Sequence, residues 1–151
     1  MILLTSILLG CAAEPPAPAP PPPPTVVNIG IEPGSNLNAD INGNGAPVML
    51  RIYELTEQSN FNSADFFALF DNDEAVLAAT LVRKHQLLLQ PGESKSITLN
   101  PEQRASSLGF FAAFRQVDNA RWRTLASIKP HQTQNLKLRL ENNQLTLESQ
   151  P

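Results

Sequence analysis

The side chains that do chemistry are few in this chain, and their spacing supports little of it. Its two histidines, His85 and His131, stand 46 residues apart with no patterned acids beside them. A general base or a metal site needs partners within reach, so ordinary strand or loop positions are expected for both. No serine or threonine lies in G-x-S-x-G or another activating context, and no Walker or dinucleotide-binding glycine pattern occurs. Asp40-x-Asn42-x-Asn44-Gly45 copies the first half of an EF-hand loop, which needs a bidentate Glu at its twelfth position. Arg51, a cation, stands there. The segment therefore reads as a polar Asn/Gly loop, and the sequence predicts no enzyme, no metal and no cofactor.

The single cysteine, Cys11, has a different chemistry open to it. Met1 to Leu9 form a short apolar run ending in Gly10, as at the end of a secretory signal. Leu8-Leu9-Gly10-Cys11 resembles the bacterial lipobox, in which a small residue precedes a cysteine whose thiol takes a diacylglyceryl group as a thioether. The freed amine is then acylated too. Each buried methylene adds roughly 0.8 kcal/mol, and a single chain holds only marginally, so several chains make a durable anchor. No Lys or Arg precedes the run, which a start lying further upstream would explain, and Leu9 is bulkier than usual at its place. Ala12 rather than Asp follows the cysteine, which resembles the sorting signal for the outer membrane.

The elements that would position any site begin after this. The chain has 151 residues and 14 prolines, eight of them between Pro15 and Pro24. That stretch excludes helix and sheet, because proline fixes φ and removes a donor. At about 3.1 Å per residue in polyproline II it is a semi-rigid stalk of roughly 40 Å. The expected organisation is a signal segment over 1–10, a lipidated cysteine and stalk over 11–24, and one domain over 25–151. A net charge of −3 and a pI near 5.3 argue against nucleic acid as the main partner. No apolar run reaches the ~18 residues of a spanning helix.

Within the domain, apolar residues alternate with period two in Val26-x-x-Ile29-x-Ile31, in Val48, Leu50 and Ile52, in Ile97 and Leu99, in Leu136, Leu138 and Leu140, and in Leu145 and Leu147. Gln90-Pro91-Gly92-Glu93 predicts a type II turn between strands at about 82–90 and 94–99. Asn142-Asn143 predicts a type I′ hairpin turn. Short strands at this spacing favour a mainly β fold, an antiparallel sandwich. One stretch departs from it. Asn62 or Ser63 caps a helix carrying Phe66, Leu69 and Phe70 on one face, and Glu74 to Leu81 form a second after Asp71-Asn72-Asp73. Leu108 to Phe114 is apolar on both faces and needs cover on both. The Phe-rich helix is the expected cover on the outside.

Charge is segregated along the chain. Up to Leu81 there are nine acids and one base, and from Val82 onward five acids and ten bases. Glu54, Glu57, Asp65, Asp71, Asp73 and Glu74 read either as a solvated face or as an acidic patch that steers a basic partner. The connection from Pro33 to Ala46, about fourteen residues, is long enough to suggest function.

Asn38-Ala-Asp40-x-x-Gly43-x-x-x-Pro47, followed by Val48-Met-Leu-Arg51-Ile-Tyr53-Glu-Leu55, resembles the TssJ family, outer-membrane lipoproteins of the type VI secretion system. Phe61-x-x-Ala64-Asp65-Phe66-Phe67, Gln90-Pro91-Gly92-Glu93, Gly109 to Arg115 and Ala120-Arg-Trp122-Arg123 are similar to later blocks of that family, in order and in register over 25–149. Ala39 stands where the family often has Pro, and Asn44 where it often has Arg. The resemblance implies a transthyretin-like sandwich of about eight strands, with a short helical insert between the second and third. It also implies a role, holding the periplasmic C-terminal region of TssM, an inner-membrane protein, so that the complex bridges both membranes. The family's contact loop maps to Asn36, Leu37, Asn38, Ala39, Asp40, Ile41, Asn42, Gly43 and Asn44. Tyr53 and Trp122 are expected in cover positions, with Arg51 and Arg115 paired to acids. Two other readings fit the same N-terminus: an assembly or pilotin-type lipoprotein of another envelope apparatus, and a periplasmic small-ligand carrier, which would need a roomy apolar pocket. The first reading predicts no small-molecule substrate and an outer-membrane location facing the periplasm.

Overall fold

Strand alternation decides which residues meet in the middle of the molecule. The computed structural model describes residues 17–150. Cys11, the expected signal segment and the first part of the expected stalk lie outside them. Eight strands form, β1 (Val26–Pro33), β2 (Val48–Leu55), β3 (Leu81–Leu89), β4 (Lys95–Leu99), β5 (Ser107–Ala112), β6 (Arg123–Ser127), β7 (Thr133–Glu141) and β8 (Gln144–Gln150). Between β2 and β3 lie α1 (Ser59–Ser63), α2 (Phe66–Leu77) and a 3-10 turn, Ala78–Thr80. One sheet runs β4-β1-β7-β8 and the other β3-β2-β5-β6. Their inner faces supply Val27, Ile29, Ile31, Leu50, Ile52, Phe110, Leu138 and Leu140 to one continuous buried cluster. Each such side chain contributes roughly 1.5–3 kcal/mol on burial. The mainly β sandwich with its insert between the second and third strands is thus as the sequence predicts.

Three details differ from the expectation. β1 and β7 run parallel, from Val26 opposite Thr133 to Pro33 opposite Leu140, because both strands start at the same end of the sandwich. The Gln90–Glu93 turn forms as predicted, with Gly92 at φ 74° and the Glu93 N–H bonded to the Gln90 carbonyl at 3.2 Å. It does not close a hairpin, since β3 pairs with β2 and β4 with β1; the turn carries the chain from one sheet to the other. At the β7–β8 turn positive φ occurs at Asn142, the first central residue, and not at Asn143. That is the pattern of a II′ turn rather than the I′ turn expected.

The outer face of the second sheet is covered by the helical insert. Phe111 is fully buried in a second cluster with Tyr53, Leu55, Phe61, Phe66, Leu69 and Leu77. Gly109 permits this approach, since a Cβ there would sit 3.1 Å from the Phe61 ring. The cap of α2 is Asp65, whose carboxylate accepts the Ala68 N–H at 2.9 Å, not Asn62 or Ser63, which belong to α1. A β-region φ/ψ suits an N-cap, and Asp65 has it. The Asp71-Asn72-Asp73 break is present as a kink, with Asn72 at φ −148° and ψ 47°. The turn after it ends at Leu77, and Leu81 opens β3 instead of continuing the helix. Phe66 and Leu69 are buried as expected, while Phe70 remains 45% exposed.

The strand directions define two poles. Connections 34–47, 90–94, 113–122 and 142–143 gather at one end. At the other, the chain enters β1 from residues 17–24, which form neither helix nor strand and lie exposed. There the His131 N–H bonds to the Thr25 hydroxyl at 2.9 Å, and His131 Nδ1 lies 3.0 Å from the Pro23 carbonyl. The end of the proline-rich segment is therefore fastened to the sandwich at the pole opposite the long loop.

Candidate functional site

The connection from β1 to β2 crosses between the sheets, and its root is fixed before its tip is shaped. Leu37 is fully buried and Asn38 is 6% exposed. Asn38 adopts φ 50°, which asparagine tolerates better than most residues. Its side-chain amide donates to the Pro47 carbonyl at 2.9 Å, and its side-chain oxygen accepts the Arg115 N–H at 2.9 Å. Its own N–H reaches the Asn142 carbonyl at 2.6 Å, and the Ala46 N–H reaches Leu37 at 2.8 Å.

The tip is organised by Asp40. Its carboxylate accepts N–H bonds from Asn42 at 2.8 Å and Asn44 at 2.9 Å, and a side-chain bond from Asn44 at 3.2 Å. The Asn44 backbone bond is the largest of the influences that hold this carboxyl below its ordinary value. These donors occupy the oxygens a cation would need, and Arg51 at the twelfth position is engaged elsewhere. Ile41 stands at the tip with 92% of its surface in water. A large apolar side chain so exposed, on a loop this well braced, suits a protein contact.

The other sequence-selected residues are structural. Tyr53 is fully buried, and Trp122 packs against both clusters. The Arg51 guanidinium donates to the Leu69 and Phe70 carbonyls and to Asp73, at 2.9, 3.1 and 3.2 Å. It also lies over the Phe70 and Phe111 rings. Arg115 does not follow expectation: among the described residues its side chain makes no ion pair, although its charge helps to lower the Asp40 carboxyl. His85 Nε2 sits 2.9 Å from Glu54, and among the described residues neither imidazole ring is bonded to a serine or threonine hydroxyl.

Of the six acids, Glu54 and Asp73 are buried, while Glu57, Asp65, Asp71 and Glu74 lie exposed. Glu54, fully buried, meets His85, Arg83 at 3.5 Å and the Glu102 N–H at 3.1 Å. Asp73 is 6% exposed and accepts from Arg51, Lys84 and the Tyr53 hydroxyl. Glu74 pairs with Lys84 at 3.0 Å. The basic run of β3 lies beside the acids of β2 and α2, so charge segregation in sequence becomes pairing in space. Sequence reading missed this because the partners stand 10 to 31 positions apart.

Two four-stranded sheets with a helical insert covering one of them define a two-layer β-sandwich. The sequence model described as type VI secretion lipoprotein, VasD, EvfM, TssJ, matches residues 25–143, and the chain belongs to this family. Among curated proteins none matches. The crystal structure of the lipoprotein TssJ1 from Pseudomonas aeruginosa is 36% identical, with TM-score 0.82, over 85% of this chain and 98% of that one. A chain of the structure described as a type VI membrane complex is 26% identical, with TM-score 0.71, over 84% and 98%. A chain of the structure described as the TssM C-terminal domain from EAEC is 25% identical, with TM-score 0.69, over 82% and 98%. No helix among the described residues is long and apolar enough to cross a membrane.

Proposed function

We propose that this lipoprotein is a non-enzymatic adaptor that hangs from the outer membrane by lipid on Cys11 and grips the periplasmic C-terminal region of TssM through the 36–44 loop. In this reading residues 1–10 are removed, 11–24 carry the lipid and the stalk, and 25–151 form the binding domain. The observation that carries it is the position of Ile41, bare on a rigid loop at the pole opposite the stalk. The eight residues of β1, at about 3.3 Å each, put roughly 25 Å between the two ends. A stalk leaving one end therefore presents the other to the periplasm. Membership of the family and the likeness to chains in the structures described as a type VI membrane complex and as the TssM C-terminal domain support the choice of partner. The sandwich interior, closed by side chains of both sheets, counts against the small-ligand carrier.

The loop divides into a structural root and a recognition tip, so the test spares the root. Detergent-solubilised full-length protein is titrated with the periplasmic C-terminal region of TssM, against a variant with Ile41→Ser. The variant should bind at least about tenfold more weakly, as for loss of a central apolar anchor. Equal affinities would remove the loop from the interface, and no binding by the unaltered protein would overturn the reading.

A further inference from the structure

Helix α2 spends more aromatic surface than its packing requires. Phe66 and Leu69 cover the sheet, yet Phe67 is 63% exposed and Phe70 45%. These two rings are not loosely held. Phe67 packs edge-on to Phe66 at 5.3 Å, and Phe70 stacks on the same ring at 5.9 Å, with 10° between the planes. Phe66 in turn is wedged against Phe111 and Trp122 at 5.2 and 5.5 Å. The exposed rings therefore rest on a buried aromatic base. Rigid aromatics lose little entropy when a partner covers them, which is why they dominate binding energy at interfaces.

Beside Phe67 lies a groove of about 380 Å³, whose far wall is the segment from Arg115 to Asn119, with Asn143 closing it. Val117 adds an apolar surface, and the exposed Arg115 side chain makes no hydrogen bond or ion pair among the described residues, with Asp40 close enough to feel its charge. Asp118 also lines the groove, so the match to Arg115 is local rather than a matter of net charge. This wall is tied to the root of the long loop. The Arg115 N–H bonds to Asn38, and the Asn143 amide reaches the Gln116 carbonyl at 3.4 Å. Loop and groove belong to one pole, fastened by the same hydrogen bonds.

From the shared pole, the locked aromatics and the exposed guanidinium, we infer that the groove between Phe67 and Arg115 receives a second segment of the polypeptide that grips the loop, an extended stretch with a bulky apolar side chain beside a carboxylate. The apolar group lies between Phe67 and Val117, and the carboxylate meets Arg115 as a charge-assisted pair. The inference rests on the adaptor reading. It extends that reading from a single loop tip to a surface that includes the helical insert.

The test titrates the full-length protein in detergent with the periplasmic C-terminal region of TssM, comparing Phe67→Ser, Phe67→Leu, Arg115→Glu and Ile41→Ser. Thermal unfolding of each variant checks that the sandwich is intact. Phe67→Ser and Arg115→Glu should each weaken binding about tenfold, Phe67→Leu should retain most of the affinity, and the Arg115→Glu complex should lose sensitivity to salt. If Ile41→Ser is weak while both groove variants bind within about twofold of the unaltered protein, the groove inference falls and the loop reading stands. If the groove variants are weak and Ile41→Ser is not, the groove stands and the loop assignment falls. No binding by the unaltered protein overturns both.

Discussion

Asp73→Ala should cost about 3–5 kcal/mol of folding stability, the loss expected when one member of a buried charged network is removed. Asp73 accepts the Tyr53 hydroxyl at 2.8 Å, and Arg51 and Lys84 each at 3.2 Å. Arg51 keeps its two carbonyl acceptors on α2, but the Tyr53 hydroxyl would be sealed in the second core without an acceptor. That core is what fastens the helical insert to the sheet, so the insert should loosen first. Urea unfolding of the single domain measures the change. A loss below about 1 kcal/mol would mean that the carboxylate is not the pin it is taken to be.

The same carboxylate sets a pH dependence. Burial pushes the Asp73 carboxyl up, but the Tyr53 hydroxyl, the Lys84 ammonium and the Arg51 guanidinium outweigh it, and the group sits below its ordinary value. A native value lower than the unfolded one means that the folded state binds fewer protons. Its contribution is therefore complete above about pH 4, near the unfolded value, and is lost as pH falls through the lower native value. Asp73→Asn should unfold with a shallower acid limb than the unaltered protein.

Cys11→Ser should move the protein from the membrane fraction to the soluble periplasmic fraction and abolish acyl labelling. Serine offers a hydroxyl where the lipid transfer needs a thiol, and the chain holds no other cysteine to substitute. What remains is a sandwich with an exposed stalk, and neither can replace several acyl chains at roughly 0.8 kcal/mol per buried methylene. Labelling with a fatty-acid analogue and sucrose-gradient fractionation read both outcomes. Persistence of the label, or retention in the outer membrane without it, would refute the anchor.

Period-two alternation made β1, β2, β7 and β8 legible, because each buries one face and shows the other to water. The doubly apolar run at β5 implied a covering layer, and the Phe-rich helix supplies it. Sheet membership was not legible. β3 and β4 adjoin in sequence across a predicted turn, yet the turn bridges two sheets, and only long-range pairing decides that. The proposed contact loop rests on family resemblance. Its split into root and tip was hidden, since Asn38 and Asn42 are the same residue type with opposite burial. Burial of Glu54 and Asp73 was hidden because their partners Arg83, Lys84 and His85 lie on another strand. Phe70 was expected on the covering face with Phe66 and Leu69 but stays 45% exposed, and nothing in the sequence marked Phe67 as a ring left in water.

The most direct test of the adaptor account places a photo-crosslinking amino acid at position 41 of the lipidated protein in cells that assemble the secretion apparatus. A second strain carries it at Thr98, exposed on the outer face of the first sheet. The account predicts a covalent adduct with TssM from position 41 and none from position 98. No adduct from position 41, or equal adducts from both, would contradict it.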